Sequence, residues 1–174
     1  MHLAVELLQD SIVNNQRIII LGDYDVDGIT ATALMLDFLK ASGAKNVNYF
    51  IPNRLKHGYG LTEASTDILM ERNADLVITV DNGITAAGEI RRLNDAGIKT
   101  IVTDHHLPEF DLLPTGIVVN PNHPECKYSF KNITGCGVAL KLVTALRKSL
   151  RKLGWWSSDR PEPNLRNSLD LAAL

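Results

Sequence analysis

RIIILGDYDVDGIT, residues 17–30, decides the fold. The run from Arg17 to Leu21 is apolar and β-rich, which reads as a buried strand. It stops at Gly22 and continues into aspartates at alternate positions, Asp23, Asp25 and Asp27, before Gly28 opens an apolar, helix-periodic stretch. Three carboxylates this close repel one another, and burying an unpaired charge is costly. A divalent cation is the simplest way to hold them together, and hard oxygen donors suit magnesium or manganese. The alternative is a polar turn in which Asp27 caps the helix and the other two aspartates are solvated.

Outward from this stretch, apolar periods of strand and helix alternate. His2–Asn14 spaces Leu3, Val5, Leu7, Leu8 and Ile12 as one helical face, and Ile29–Ala41 is a second helix ended by Ser42-Gly43. Asn46–Ile51 is a strand, Pro52–Gly60 a loop, and Leu61–Arg72 a helix capped by Thr62 or a neighbour. Asp75–Val80 is a third strand running into Asp81, and Thr85–Ala96 is a helix stopped by Gly97. Lys99–Val102 and Gly116–Val119 are strands, and Gly137–Leu153 is a long helix. Ser157–Asn164 is a proline-containing connection, and Leu165–Leu174 begins a last helix or strand. Short strands alternating with helices of ~10–15 residues predict βαβ units. The expected fold is therefore α/β and Rossmann-like, with three layers and a mainly parallel sheet of about five strands flanked by helices.

Bulk composition narrows the function classes. At 174 residues the chain can build one domain with a substantial core. No apolar run approaches the ~20 residues of a membrane span, and Met1–Asp10 lacks a signal-peptide pattern. Cys126 and Cys136 are too few for a disulfide framework and lack zinc spacing, which suits a reducing cytoplasm. The net charge of −2 gives no global sign of nucleic acid, although bound metal would neutralise clustered aspartates.

Right-handed crossovers bring the C-terminal ends of parallel strands to one edge, where ligands bind. Asp23, Asp25 and Asp27 follow the first strand, Arg54, Lys56 and His57 the second, Asp81 the third, and Asp104, His105 and His106 the fourth. Carboxylates and imidazoles converging there can hold two divalent metals, with Asp81 the candidate bridge. Two metals about 3.5–4 Å apart activate water for an in-line phosphoryl displacement, so the expected chemistry is hydrolysis of a phosphodiester or phosphoanhydride. Gly135 and Gly137 open the long helix, either as a phosphate cradle or as a tight turn allowing close packing. Arg54, His57 and Tyr59 are candidates for substrate phosphate and base, or part of an exposed loop of mixed charge. Arg147, Lys148, Arg151 and Lys152 read as a solvated helix face, and Trp155 and Trp156 as core or interface anchors.

Asp104-His105-His106 is the signature triplet of the DHH phosphoesterase superfamily. GDYDVDGITATAL, PNRLKHGYGL, VITVDNGI, IVTDHHLP, VVNPN and GCGVAL accompany it in order. Together they closely resemble that superfamily, and within it the bacterial exonucleases that digest single-stranded DNA 5′→3′. The PNR…GYGL loop and the NPN element separate this branch from the pyrophosphatases and small-oligonucleotide phosphodiesterases. The resemblance implies two Mn2+ or Mg2+ ions on Asp25, Asp27, Asp81 and His105, with Asp23 and Asp104 on the metals or one contact removed. It puts His106 beside the scissile phosphate and Arg54 on the nucleotide. It further implies release of mononucleotides in DNA repair and recombination, with a single-strand-binding protein and a helicase as partners. By the same resemblance, residues 1–174 form one catalytic domain ending before a fourth metal-binding motif, without the second core domain or OB-fold. That makes a partial catalytic core with one tighter and one looser metal site. The alternatives are a phosphodiesterase or pyrophosphatase for small substrates, and a non-catalytic DNA-binding or scaffolding module.

Overall fold

Each isoleucine of β1 (Ile18–Leu21) is buried, whichever face of the sheet it points to, because helices cover both sides. The computed structural model describes residues 1–109 and 112–173. In chain order its elements are α1 (His2–Val13), β1, α2 (Val26–Ala41), β2 (Val47–Phe50), α3 (Arg54–His57), α4 (Glu63–Glu71), β3 (Leu76–Val80), α5 (Ala87–Asp95), β4 (Lys99–Thr103), β5 (Ile117–Val119) and α6 (Gly135–Lys152). The five strands form one sheet in the order β2-β1-β3-β4-β5, and every pairing is parallel. The expected α/β architecture is therefore the one found.

Strand alternation sorts side chains into two cores. Ile18, Ile20, Leu76, Ile78, Val80 and Ile101 face α1, α2 and α6, while Ile19, Leu21, Val77 and Val102 face α4 and α5. The larger core is closed by Leu34, Met35, Phe38 and Leu39 of α2 against Val138, Leu142, Val143 and Leu146 of α6. Leu142 is fully buried there, so Leu142→Ala removes apolar contact and leaves a cavity. It is expected to cost about 2–5 kcal/mol, read as a lower urea midpoint with an unchanged m-value.

Several local expectations are corrected. α2 begins at Val26 rather than Ile29, because the Asp25 side chain accepts the Gly28 N–H at 2.9 Å; the cap is Asp25, not Asp27. The loop after β2 contains the short helix α3, because Asn53 Oδ1 accepts the N–H groups of Leu55 and Lys56. The final stretch forms only a 3-10 turn, Leu165–Ser168, and then further turns; Leu174 lies outside the described residues. The basic face of α6 is not wholly solvated, since Arg147 and Arg151 both grip Glu162 of the returning chain. Trp155 is an anchor: its Nε1 donates to Ser42 O at 2.9 Å, and the Arg160 guanidinium stacks 3.7 Å above its ring. Among the described residues, no helix is long and apolar enough to cross a membrane.

Candidate metal centre

The strand order has a direct consequence for the site. The chain leaves β1 for β2 on one side and then crosses to β3 on the other, so β1 and β3 are neighbours whose connections diverge. A crevice opens at the C-terminal ends of such a pair. Leu21 of β1 is in register with Thr79 of β3, so the Asp23–Asp27 turn and Asp81 emerge side by side.

Asp81 is the centre of the site. It is 1% exposed, and its backbone is left-handed at φ 63°, a conformation that aspartate and asparagine tolerate better than most residues. Its Oδ1 is buried and accepts no hydrogen bond from the described residues; His105 Nε2 stands 3.1 Å away without making one. Two potential ligand sets meet on it, Asp23 with Asp25 and His105 with His106. Burial first, then the Asp27 and Asp25 charges, push the Asp81 carboxyl up to about 8 from its ordinary 3.8. A buried, charge-crowded carboxylate with an unused lone pair, ringed by oxygen and imidazole donors, fits a divalent metal site.

The other predicted residues take distinct places. Asp23 is buried and accepts the Tyr24 N–H at 2.7 Å; burial raises its carboxyl, opposed by that bond. Asp27 points its carboxylate at the start of α6, accepting Gly135 N–H at 2.6 Å and Cys136 N–H at 2.7 Å, with Oδ2 3.7 Å from His105 Nε2. Asp104 is a buried hub rather than an open ligand. It accepts from Ile84 N, His105 N, His106 N and His106 Nδ1, the last at 2.7 Å. Burial alone would raise Asp104, but the bonds from the His106 ring and from the His106 and Ile84 N–H groups outweigh it and hold it below its ordinary value. His106 is correspondingly pushed up to about 9, chiefly by its bond to Asp104, with burial opposing.

Of the two readings of Gly135 and Gly137, the geometry favours the tight turn with close packing. Gly135 N–H is taken by Asp27, and Gly137 N–H by the Thr134 side chain at 3.0 Å. A Cβ on Gly135 would lie 2.6 Å from Asp81 Cβ, so the glycine is there for close approach. His57 is engaged locally: its Nδ1 accepts Asn53 N–H at 3.0 Å, and its ring lies 5.6 Å from that of Phe50. Arg54 and Tyr59 do converge, through Tyr24, a residue that sequence reasoning passed over. The Arg54 guanidinium sits 5.3 Å over the Tyr24 ring, and Tyr59 meets that ring edge-on at 6.1 Å. Burial, and next the Asp23 and Asp81 charges, push the Tyr59 phenol up. Tyr24's position between two aspartates in an alternating run was the available signal.

Protonation gives a test of the site's electrostatics. The folded pKa values of Asp81 and His106 lie above their ordinary 3.8 and 6.5. Their stabilising contributions are therefore complete below those ordinary values and are lost as pH rises through about 8 and about 9. The metal-free chain is expected to melt lower as pH is raised from 5 to 9. A Mn2+ ion held by Asp81 would have to displace its proton, so a stabilising effect of Mn2+ should grow over the same range. Thermal melts with EDTA and with Mn2+ check both trends, and Asp81→Asn should flatten the Asp81 part.

Comparison with known proteins places this geometry. Residues 17–173 match the DHH family, N-terminal domain. The single-stranded-DNA-specific exonuclease RecJ of Escherichia coli K12 is 42% identical over 172 residues, which is 98% of this chain and 30% of that protein. The crystal structure of exonuclease RecJ bound to manganese superposes with a TM-score of 0.81 at 40% identity, over 98% of this chain and 40% of that one. RecJ from Thermus thermophilus in complex with Mn2+ gives a TM-score of 0.73 at 38% identity, over 98% and 22%. The chain thus spans 30% of the length of the Escherichia coli relative.

Proposed function

This chain belongs to the DHH family, and from that premise we propose that it carries the metal-holding part of an exonuclease that hydrolyses single-stranded DNA from the 5′ end to mononucleotides. The observation that supports it most is Asp81, common to both ligand sets, with an Oδ1 that is buried and free of hydrogen bonds among the described residues.

Asp81, with Asp23 and Asp25 on one side and His105 on the other, would hold the Mn2+ or Mg2+ ions. Asp27, steadied by the first N–H groups of α6, would complete the carboxylate ring. Such ions, when bound, activate a water and offset charge on the phosphate. The protein's own groups do the rest. His106, held by its bond to Asp104 and half-exposed, would face an arriving phosphate. Arg54 offers a bidentate fork to a phosphate. Tyr24 and Tyr59 offer ring faces to a base, which an unpaired strand can supply and a duplex cannot. A helicase and a single-strand-binding protein would deliver such strands, in the cytoplasm, during repair and recombination.

The test is Mn2+-dependent release of label from 5′-labelled DNA. It uses this chain and a chimera in which the chain replaces its matching stretch of the Escherichia coli relative. Mononucleotides released from single strands but not duplexes support the proposal. A folded chimera that leaves long DNA intact and cleaves dinucleotides or pyrophosphate would overturn the substrate and keep the metals.

A further inference from the structure

Asn120-Pro121-Asn122, directly after β5, has no part in the chemistry described above, yet its side chains reach the DHH turn. Asn120 is 4% exposed, and its Nδ2 donates to the carbonyl of His106 at 3.0 Å. Asn122 Nδ2 donates to the carbonyl of His105 at 2.6 Å. Asn120 Oδ1 accepts the N–H of Asn122 at 2.7 Å, so the two amides are tied into one turn around Pro121. Pro121 restricts the backbone between them. The N–H groups of His105 and His106 both point the other way, to Asp104 Oδ1 at 2.7 and 3.1 Å.

We infer that Asn120 and Asn122 are positioning residues that act through the backbone of His105 and His106, fixing where the two imidazoles stand relative to Asp81. The peptide groups of the turn are gripped on both sides, by a carboxylate on the N–H side and by two amides on the C=O side. With the backbone held, the remaining freedom of His105 is its side-chain torsions, which leave Nε2 3.1 Å from Asp81 Oδ1. The strand contributes as well, since Asp104 N donates to Val119 O at 3.2 Å, so β5 and its turn together set the depth of the loop. An asparagine is required at each position because the target is a carbonyl: a carboxylate there would repel it, and an alanine would leave it without this donor. Outer partners of metal ligands commonly set affinity by orienting them. The inference rests on the proposed role of His105 as a ligand.

The experiment follows Mn2+ binding to this chain by EPR in wild type, Asn122→Asp, His105→Ala and the double variant. It adds nitrogen-detected NMR of the histidine side chains without metal. Asn122→Asp is expected to weaken one Mn2+ site by about 10–100-fold. The same change in the His105→Ala background should bring no further loss, because the effect passes through His105. In the metal-free spectra the His105 and His106 signals should shift while those of His2 and His57 stay in place. Asn122→Ala, which removes the same donor without adding charge, should reproduce the pattern. Equal losses in both backgrounds, or unmoved His105 signals, would overturn the clamp. If wild type binds no Mn2+, the proposed function fails by itself, and the His105 signals still decide the clamp.

Discussion

Asp81→Asn is expected to remove Mn2+ from both halves of the centre. In the chimera it should lower kcat/KM on single-stranded DNA by about 10³-fold or more, beyond the roughly 10–100-fold of losing an outer partner. Among the described residues the two potential ligand sets share only this one. Asparagine is the informative replacement, because it keeps the side-chain shape and tolerates the left-handed backbone at φ 63°. It also removes the charge that burial and the Asp27 and Asp25 carboxylates oppose. The metal-free variant should therefore melt no lower than wild type at pH 8, while calorimetric titration shows Mn2+ binding lost. A variant that binds two Mn2+ ions as wild type does would show that Asp81 is not the bridge.

Gly135→Ala is expected to have the next largest effect, because its methyl would press on Asp81 Oδ1 itself. The added methyl would lie 2.6 Å from both Cβ and Cγ of Asp81, and a Cβ bonded to a strained backbone cannot yield far. The first turn of α6 must move instead, and it carries the N–H groups of Gly135 and Cys136 that hold Asp27. Overpacking of this kind costs about 1–3 kcal/mol. Mn2+ affinity should fall by about 10–100-fold, as for other outer contacts. Gly88→Ala in α5 is the control: nothing lies within 4 Å of its added Cβ, so it should gain about 0.5 kcal/mol and leave Mn2+ binding alone. Urea unfolding beside Mn2+ titration separates the two results. Unchanged affinity in Gly135→Ala would mean that neither the Asp81 carboxylate nor the hold of α6 on Asp27 sets Mn2+ binding.

Much of the centre was legible residue by residue. Asp23, Asp25 and Asp27, Asp81 and the Asp104–His106 triplet each interrupt an apolar strand, and charge at the end of a buried strand is visible without coordinates. Asp104 was legible as a participant but not as a buried hub. Its partners are mostly backbone N–H groups, including that of Ile84, and every residue but proline carries one. The hold of Gly135 and Cys136 on Asp27 was hidden for the same reason, and it joins positions 108 and 109 residues apart. Those glycines read equally as a phosphate cradle or a close contact, because both need the same absence of a Cβ.

The sequence by itself determined the alternation of strands and helices, the parallel sheet, the edge at which the polar residues gather, and the donor types that select a hard divalent metal. These follow from local periodicity and from the cost of burying charge. Only the tertiary structure decided which strands are neighbours. An order following the chain satisfies the same hydrophobic pattern, because pattern fixes which faces are buried and not which edges pair. The observed order puts β1 against β3, with β2, whose Asn48 and Tyr49 are exposed, at the rim. That pairing brings Asp81 beside the aspartates that follow β1. With α6 packed on α2 above them, it turns three separate strand ends into one site.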